Sequence, residues 1–284
     1  MKKIAFIGVG VMGRYMVANL LKSGYEVDIF ARDKSKVEDT IKQGARFHNS
    51  IKECVKNSDV VITMLGFPKD VSEVYFSKDG LLDSAKSGAY LIDMTTTTPA
   101  LSKKIYQVAK SKGLKALDAP VTGGDIGAKN ATLSIMVGGE KDDFHSCEDI
   151  FKVLGKTIVY MGEAGNAQHA KMANQIAIAG IMAGISEALT YAKNKNLDIK
   201  ALLSAIQNGA AQSFHLTNTA PRMLKGDLKA GFYIKHMVKD LQIALDEEPN
   251  LVVLKDVLNI YKSLEDDGFG ELGTQAICKF YEKE

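Results

Sequence analysis

The sequence predicts an α/β domain built around a parallel sheet, followed by an all-helical domain. In the first half, short apolar runs alternate with amphipathic stretches, as in βαβ units. After about Gly162 no convincing strand follows, and helical patterns succeed one another. The chain has 284 residues, of which 46% are hydrophobic and 25% charged, a size that suits about two globular domains. We therefore predict domains at residues 1–163 and 164–284.

Seven apolar runs predict the strands of the first domain. Continuous apolar runs are typical of a sheet that is covered on both faces. The runs are 4–7, 27–30, 60–64, 90–93, 116–119, 133–137 and 157–160. Stretches with helical periodicity, such as 99–112, lie between most of them.

A long helix at about residues 166–194 is predicted to open the second domain. Shorter helical patterns follow at 199–207, 212–224, 234–247, 251–266 and 275–281. The most apolar part of the long helix also contains Asn174, Gln175 and Glu187, so we expect a buried helix and not a membrane span.

Charge and cysteine content exclude several classes of protein. Lys and Arg total 36 against 34 Asp and Glu, so the net charge of +2 predicts neither nucleic-acid nor membrane binding. Cys54, Cys147 and Cys278 lack the spacing of metal ligands. We expect reduced thiols, a cytoplasmic location and no metal site.

A glycine motif follows the first predicted strand directly and opens a helix. It reads Gly8-Val9-Gly10-Val11-Met12-Gly13, which is the pattern G-x-G-x-x-G. In this context Gly8 allows a tight turn, Gly10 lets a pyrophosphate approach the backbone, and Gly13 lets the helix pack on the strand. The motif predicts a Rossmann-type dinucleotide site, and the alternative is a plain strand–turn–helix connection.

The end of the second predicted strand bears on the choice of cofactor. An NAD site usually has an acidic residue about 20 positions after the motif, where it binds the ribose 2′-hydroxyl. Here the strand is followed by Ala31 and Arg32, which favours the 2′-phosphate of NADP. NAD stays possible because Asp33 lies one residue further on, and Arg32 could also be a solvated surface charge.

Two further segments carry candidate chemistry. Lys171 lies in an apolar helix, with Asn174 and Gln175 on the same face. A buried lysine suits a general acid/base, and a structural ion pair is the equal alternative. The loop Thr122-Gly123-Gly124 can present a hydroxyl and backbone N–H groups to an anion, or can be a flexible turn.

Taken in order, the segments 8–20, 118–133, 162–175 and 239–241 resemble the β-hydroxyacid dehydrogenase family over nearly the whole chain. This family includes 3-hydroxyisobutyrate dehydrogenase, tartronate semialdehyde reductase and glyoxylate/succinic semialdehyde reductases. The resemblance implies that Lys171 is catalytic and that a small carboxylate-bearing substrate is bound. The substrate contacts it implies are Thr122, Gly123, Gly124, Asn174, Gln175 and Lys239. The cofactor contacts it implies are Gly8, Gly10, Val11, Met12, Gly13, Arg32, Met64, Leu65, Thr96, Phe232 and Lys239.

The expected activity is hydride transfer between NADP, or NAD, and a small 3-hydroxy acid or its semialdehyde. Thr122 replaces the serine and Gln175 the asparagine of many family members, which bears on substrate identity. The alternatives are a non-catalytic dinucleotide-binding or sensing protein and an imine reductase, and Lys171 argues against both. Small residues on the long helix, such as Gly180 and Gly184, favour a homo-oligomer, either a dimer or a tetramer.

Overall fold

The computed structural model describes residues 2–282 of the chain. The chain forms two compact units, Met1–Lys171 and Met172–Glu284. The first contains the sheet and the second is built of helices. The division falls inside a continuous helix, Asn166–Asn194, whereas the domain boundary predicted after residue 163 precedes that helix and stays a prediction.

One sheet contains the nine strands of residues 2–282. They are β1 (Ile4–Ile7), β2 (Val27–Phe30), β3 (Arg46–Phe47), β4 (Val60–Thr63), β5 (Tyr90–Asp93), β6 (Lys115–Asp118), β7 (Val121–Thr122), β8 (Leu133–Gly139) and β9 (Gly155–Gly162). Their order is β3-β2-β1-β4-β5-β6-β8-β7, and β9 pairs with β8 on its other side. All seven predicted runs are strands, with ends shifted by no more than two residues.

The part of the sheet from β3 to β6 is parallel, as predicted, but β8 is not. It runs antiparallel to β6 and β7 and parallel to β9. A parallel crossover needs a dozen or more residues. The chain between Thr122 and Leu133 is shorter than that, so it returns antiparallel. The two-residue strands β3 and β7 are too short to give a sequence pattern.

Helices cover both faces of the sheet. Those of the first unit are α1 (Gly13–Lys22), α2 (Glu38–Lys42), α3 (Ile51–Val55), α4 (Pro68–Phe76), α5 (Leu81–Ser84), α6 (Pro99–Ser111), α7 (Gly124–Lys129) and α8 (Lys141–Leu154). Side chains alternate along β1, so Ile4 and Phe6 enter one apolar layer while Ala5 and Ile7 enter the other. Each layer holds one buried cysteine, Cys147 in the first and Cys54 in the second.

The second unit has its own apolar core, which includes Leu241, Leu258 and Tyr261. Its helices are α10 (Ile199–Ile206), α11 (Ala220–Leu224), α12 (Ile234–Glu247), α13 (Val252–Leu264) and α14 (Cys278–Tyr281), and they follow the long helix α9 (Asn166–Asn194). The predicted helix 212–224 is broken, because a π-helical turn at His215–Thr219 precedes α11. The half-buried Cys278 packs against this core.

Among the described residues, α9 alone is long and apolar enough to cross a membrane, judged by length and composition. Core helices pass the same test. The helix also carries polar residues that are less than a tenth exposed, namely Gln168, Lys171, Gln175 and Ser186. Its expected role as a core helix stays a prediction.

Candidate functional site

The three glycines of the G-x-G-x-x-G loop differ in what surrounds them. Gly8 has φ +98°, and a Cβ there would overlap the carbonyl oxygen of Met64. A Cβ on Gly13 would overlap the carbonyl oxygen of Gly8 and lie 3.1 Å from the ring of Phe6. A Cβ on Gly10 would meet nothing within 4 Å. Gly8 and Gly13 are thus required by the backbone and its packing, whereas Gly10 leaves open backbone that a dinucleotide could approach.

The carboxyl ends of β1, β4 and β5 adjoin at one edge of the sheet. The Met64 amide donates to the carbonyl of Ile7 at 2.9 Å. The Leu65 amide donates to Oγ1 of Thr95, also at 2.9 Å. The glycine loop, Leu65 and the segment containing Thr96 are therefore gathered at the edge where ligands bind in open α/β sheets.

Arg32 lies just after β2, with 84% of its side chain exposed and Nη1 3.7 Å from Oδ1 of Asp70. The neighbouring Asp33 faces Ser35, since its Oδ1 accepts from the Ser35 amide at 3.0 Å and the Ser35 hydroxyl at 2.7 Å. These hydrogen bonds hold the pKa of Asp33 below its usual range. The carboxylate therefore caps the short 3₁₀ helix Lys34–Val37, and the guanidinium is the more exposed group at this strand end.

Asp93 ends β5 and is only 3% exposed. Its Oδ1 accepts from the Thr63 hydroxyl at 2.7 Å and from the Thr95 amide at 3.1 Å. Its Oδ2 has no hydrogen-bond partner among the described residues. Burial raises the pKa of Asp93 to about 6, although the hydrogen bonds from Thr95 and Thr63 lower it. Asp93 was not among the predicted site residues, because it is the last residue of a run predicted as a buried strand.

Asp118 is the last residue of β6, and its carboxylate accepts hydrogen bonds from the start of α9. Its Oδ1 accepts from the Gly165 amide at 2.9 Å, and its Oδ2 accepts from the Gln168 amide at 3.3 Å. The carboxylate thereby satisfies N–H groups that a helix leaves unpaired at its N-terminus. Burial raises the pKa of Asp118, while these backbone hydrogen bonds lower it.

Lys171 is 5% exposed and lies three residues after Gln168 on α9. Residues three apart on a helix lie on the same side, one turn apart. The side chain predicted to be catalytic therefore lies one turn beyond the part of the helix that Asp118 holds.

The loop predicted to bind an anion has an unusual backbone. Thr122 pairs with Ser134 across β7 and β8. Gly123 follows with φ +127° and Gly124 with φ +62°, both in the region that favours glycine. A Cβ on Gly124 would meet nothing within 4 Å. The backbone at the start of α7 is therefore open to a small ligand.

In the second unit, two predicted residues contact a buried carboxylate, and a third contacts one of those two. Nε2 of Gln175 donates to Oδ2 of Asp240 at 2.6 Å, and Nδ2 of Asn174 donates to Oε1 of Gln175 at 2.8 Å. Nζ of Lys239 lies 3.0 Å from Oδ1 of Asp240, which is 0% exposed. Asp240 lies in the segment 239–241 that carries the family resemblance, but no role was predicted for it, although a carboxylate next to Lys239 is a usable signal.

Phe232 lies near the same helix, with its ring centroid 5.9 Å from that of His236. Burial, followed by the positive charge of Lys239, lowers the pKa of His236 to about 4. No cluster of metal-ligating side chains occurs among residues 2–282. Thirteen of the predicted site residues, up to Lys171, belong to the first unit, and Asn174, Gln175, Phe232 and Lys239 belong to the second.

Comparison with known proteins decides the family. Residues 3–162 match the family model described as the NAD binding domain of 6-phosphogluconate dehydrogenase. Residues 165–281 match the model described as NAD-binding of NADP-dependent 3-hydroxyisobutyrate dehydrogenase. The chain belongs to the β-hydroxyacid dehydrogenase family.

Individual members of the family match over almost the whole chain. An uncharacterized oxidoreductase of Bacillus subtilis is 49% identical, covering 99% of both chains. The NAD-dependent L-serine dehydrogenase of Pseudomonas aeruginosa is 32% identical, covering 99% of this chain and 98% of its own. A solved structure of Mycobacterium tuberculosis 3-hydroxyisobutyrate dehydrogenase with L-serine has a TM-score of 0.89 at 29% identity, covering 98% of both chains.

These matches confirm the predicted resemblance and the predicted fold class. They support a nicotinamide cofactor and a dehydrogenase that acts on hydroxy acids for this family member. The open backbone at Gly10, beside the start of α1, fits such a cofactor.

Proposed function

We propose that the protein catalyses reversible, NADP-linked oxidation of a small 3-hydroxy acid to its semialdehyde, with Lys171 as the general acid/base. The observation that carries the proposal is the placement of Lys171. The residue is 5% exposed, and the helical turn before it is hydrogen-bonded to the loop after β5 and to the end of β6. These strand ends belong to the sheet edge that also carries the glycine loop.

A bound nicotinamide cofactor would supply the hydride acceptor for oxidation and the hydride donor for reduction. Lys171 Nζ takes the hydroxyl proton in oxidation and gives a proton to the carbonyl oxygen in reduction. In the reductive direction a charged Lys171 also polarises the carbonyl. Gly8, Gly10, Val11, Met12 and Gly13 would hold the pyrophosphate. The other proposed cofactor contacts are Met64, Leu65, Thr96, Phe232 and Lys239.

The substrate class is proposed from the loop Thr122-Gly123-Gly124. One hydroxyl and the N–H groups of an open backbone suit a carboxylate. Asn174, Gln175 and Lys239 are the further proposed substrate contacts. Two relatives are named for L-serine or 3-hydroxyisobutyrate, and both compounds carry a carboxylate and a hydroxyl on the β carbon.

Replacing Lys171 with Met tests this function. We expect kcat with NADPH and a semialdehyde to fall about 10²–10⁴-fold, because acid/base catalysis typically contributes that much. Lys193→Met removes an exposed lysine from the same helix and serves as the control, with unchanged kcat expected. Turnover by Lys171→Met within about tenfold of the wild type, with NADPH still bound, would contradict the role of Lys171.

The same assay tests the two alternative functions, an imine reductase and a non-catalytic sensing protein. The substrate panel contains methylmalonate semialdehyde, succinic semialdehyde, glyoxylate and a cyclic imine for reduction, and L-serine and 3-hydroxyisobutyrate for oxidation. Activity on the imine alone would favour an imine reductase. Tight NADPH binding without turnover of any compound would favour a sensing protein.

Preference for NADP is proposed from Arg32, whose exposed guanidinium can pair with a 2′-phosphate. Arg32→Ala should lower kcat/KM with NADPH by about tenfold or more while leaving NADH almost unchanged, since charge-assisted hydrogen bonds are worth about 1.5–3 kcal/mol. Lys42→Ala removes another exposed cation and is the control. Equal loss with both cofactors would contradict the proposal.

A cytoplasmic location is proposed because the three cysteines form no disulfide.

A homo-oligomer is proposed from one side of α9. Several exposed positions on α9 at helical spacing are small or apolar, namely Ala173, Ala177, Ile181, Gly184, Ala188 and Tyr191, and Glu187 is the charged residue among them. Such a stripe is typical of helix–helix association. Ile181→Glu should lower the molar mass measured by light scattering during size-exclusion chromatography. A wild-type chain that elutes as a monomer would refute the proposal.

A further inference from the structure

Gln168 is fully buried, yet both ends of its side-chain amide are hydrogen-bonded to one loop. Its Oε1 accepts from the Thr97 amide at 3.1 Å. Its Nε2 donates to the carbonyl of Thr95 at 2.9 Å. The two contacts bracket Thr96, the residue proposed to contact the cofactor. A single side chain on α9 thus holds the main chain on both sides of that residue.

The loop that contains Thr95, Thr96 and Thr97 also makes hydrogen bonds to residues other than Gln168. The Thr95 amide donates to Oδ1 of Asp93 at 3.1 Å, and the Thr95 hydroxyl accepts from the Leu65 amide at 2.9 Å. The loops after β4 and β5 are therefore connected to each other and, through Gln168, to the first turn of α9. Each contact includes a backbone amide or carbonyl, so the network fixes main-chain positions.

The backbone of Gln168 is fixed as well as its side chain. Its amide donates to Oδ2 of Asp118, whose Oδ1 accepts from the Gly165 amide. Lys171 follows three residues later, about 4.5 Å further along the helix axis. The start of α9 is thereby tied to β6 and to the loop after β5, and Lys171 lies on the next turn. All of these residues belong to the first unit.

We propose that Gln168 is a positioning residue that sets the placement of the turn carrying Lys171 relative to the loop carrying Thr96. The inference rests on the proposed function, in which Lys171 transfers the proton and Thr96 contacts the cofactor. Proton and hydride transfer require the reacting groups to be aligned, and a misplacement of about 1 Å can cost 10²-fold in rate. Gln168 touches neither reacting group in this role and acts through the main chain.

Two substitutions separate positioning from simple packing. Gln168→Met keeps the size of the side chain and removes both hydrogen bonds. We expect kcat per folded enzyme to fall by about 10- to 100-fold, with KM for the semialdehyde changed much less. In the cofactor-free protein, the amide of Thr97 should exchange with deuterium faster than in the wild type.

Gln168→Glu adds a readout that depends on pH. A protonated glutamic acid can accept from the Thr97 amide and donate to the Thr95 carbonyl, as glutamine does. Its ionised form places a second negative oxygen against that carbonyl. The ratio of variant to wild-type kcat should therefore rise severalfold as the pH falls from 8 to 6, and a flat ratio would overturn the proposal. This variant also keeps the test open if Gln168→Met does not fold.

The control is Gln275→Met in the second unit. Gln275 is 3% exposed, and its Nε2 donates to the carbonyls of Asp227 and Lys229 at 3.0 and 2.9 Å. Its loss should lower stability and leave kcat per folded enzyme unchanged. If Gln168→Met keeps kcat within about twofold while Lys171→Met is inactive, the positioning role is wrong and the proposed function stands. If Lys171→Met is itself active, the proposed function has failed instead.

Discussion

Two buried carboxylates, Asp118 in the first unit and Asp240 in the second, are held in different ways. In the first unit, Asp118 is hydrogen-bonded by backbone amides of Gly165 and Gln168. In the second unit, Asp240 faces side chains, the ammonium of Lys239 and the amide of Gln175. Backbone donors have fixed positions and no net charge, whereas side-chain donors move and one of them carries a full charge. A backbone-held acid therefore anchors a helix, and a side-chain-held acid balances a cation.

The difference shows which substitutions can be compensated. The partners of Asp118 cannot be mutated away, so its loss leaves buried N–H groups unpaired. The charged partner of Asp240 can be removed together with it. Burial also acts without opposition from cations at Asp93 and Asp118, and the pKa of each is raised.

The largest expected effect comes from breaking the ion pair between Lys239 and Asp240 in the second unit. Asp240→Asn removes the counter-charge of Lys239, whose side chain is 12% exposed. The free energy of unfolding should fall by about 3–5 kcal/mol, as for other buried ion pairs broken on one side. The double variant Asp240→Asn/Lys239→Met should lose less than the single one. Urea unfolding followed by circular dichroism measures both.

The control for this experiment is Asp246→Asn, which changes an exposed acid on the same helix. It should alter stability by no more than about 0.5 kcal/mol. A double variant less stable than Asp240→Asn would show that Lys239 is not the group that the carboxylate balances.

The second prediction concerns Asp93 in the first unit. Its folded pKa of about 6 lies above its ordinary value of 3.8, so the folded chain binds the proton more tightly than the unfolded chain. The stabilisation is fully present below pH 4 and is lost as the pH rises through 6. Asp93→Asn should therefore gain about 3 kcal/mol relative to the wild type between pH 4 and pH 7.

This gain is measured as the difference in unfolding free energy between variant and wild type across that pH range. Asparagine keeps the acceptor that faces Thr63 and Thr95, so the hydrogen bonds at Oδ1 can be preserved. A difference that does not vary with pH would mean that Asp93 stays ionised in the folded chain.

The third and smallest effect has the opposite sign and lies in the second unit. The folded pKa of His236 is about 4, below the usual 6.5, because burial and Lys239 disfavour the charged ring. The unfolded chain therefore binds the proton first, and stability falls as the pH drops from 6.5 to 4. His236→Asn should remove about 2 kcal/mol of that loss, discounting for the partly solvated ring.

The same unfolding series in acid measures this effect. The wild-type slope should flatten in His236→Asn, whereas Asp93→Asn should steepen the loss of stability toward acid. Similar slopes in the two variants would remove the contrast between the units at these positions.

Most of the fold was predictable because local patterns determine it. Apolar runs marked seven of the nine strands, and the glycine motif marked the turn from β1 to α1. The reversal of β8 was not predictable from the apolar runs, because its antiparallel pairing with β6 follows from a short connection around β7. Two-residue strands give no periodicity, so β3 and β7 were missed as well.

The candidate site was predictable only where a residue type is unusual in its own segment. Lys171 stands out in an apolar helix. Gln168 does not, because its partners Thr95 and Thr97 lie more than 70 residues away in the chain. Asp93 and Asp118 end strands and gain their roles from segments that the fold brings to them. The local sequence therefore indicates candidate site residues. The residues that hold them in place depend on hydrogen bonds between segments that are distant in the chain.

The three cysteines lie in three different places in the structure. Cys147 lies in one layer of the first unit, Cys54 in the other, and Cys278 packs against the core of the second. Burial raises the pKa of Cys54 and of Cys147 to about 12, so neither reacts readily while its layer is closed. Each of the three thiols can therefore report when the part of the core around it opens to solvent. A timed pulse of alkylating reagent, read by mass, would show whether the three cores open together or in sequence.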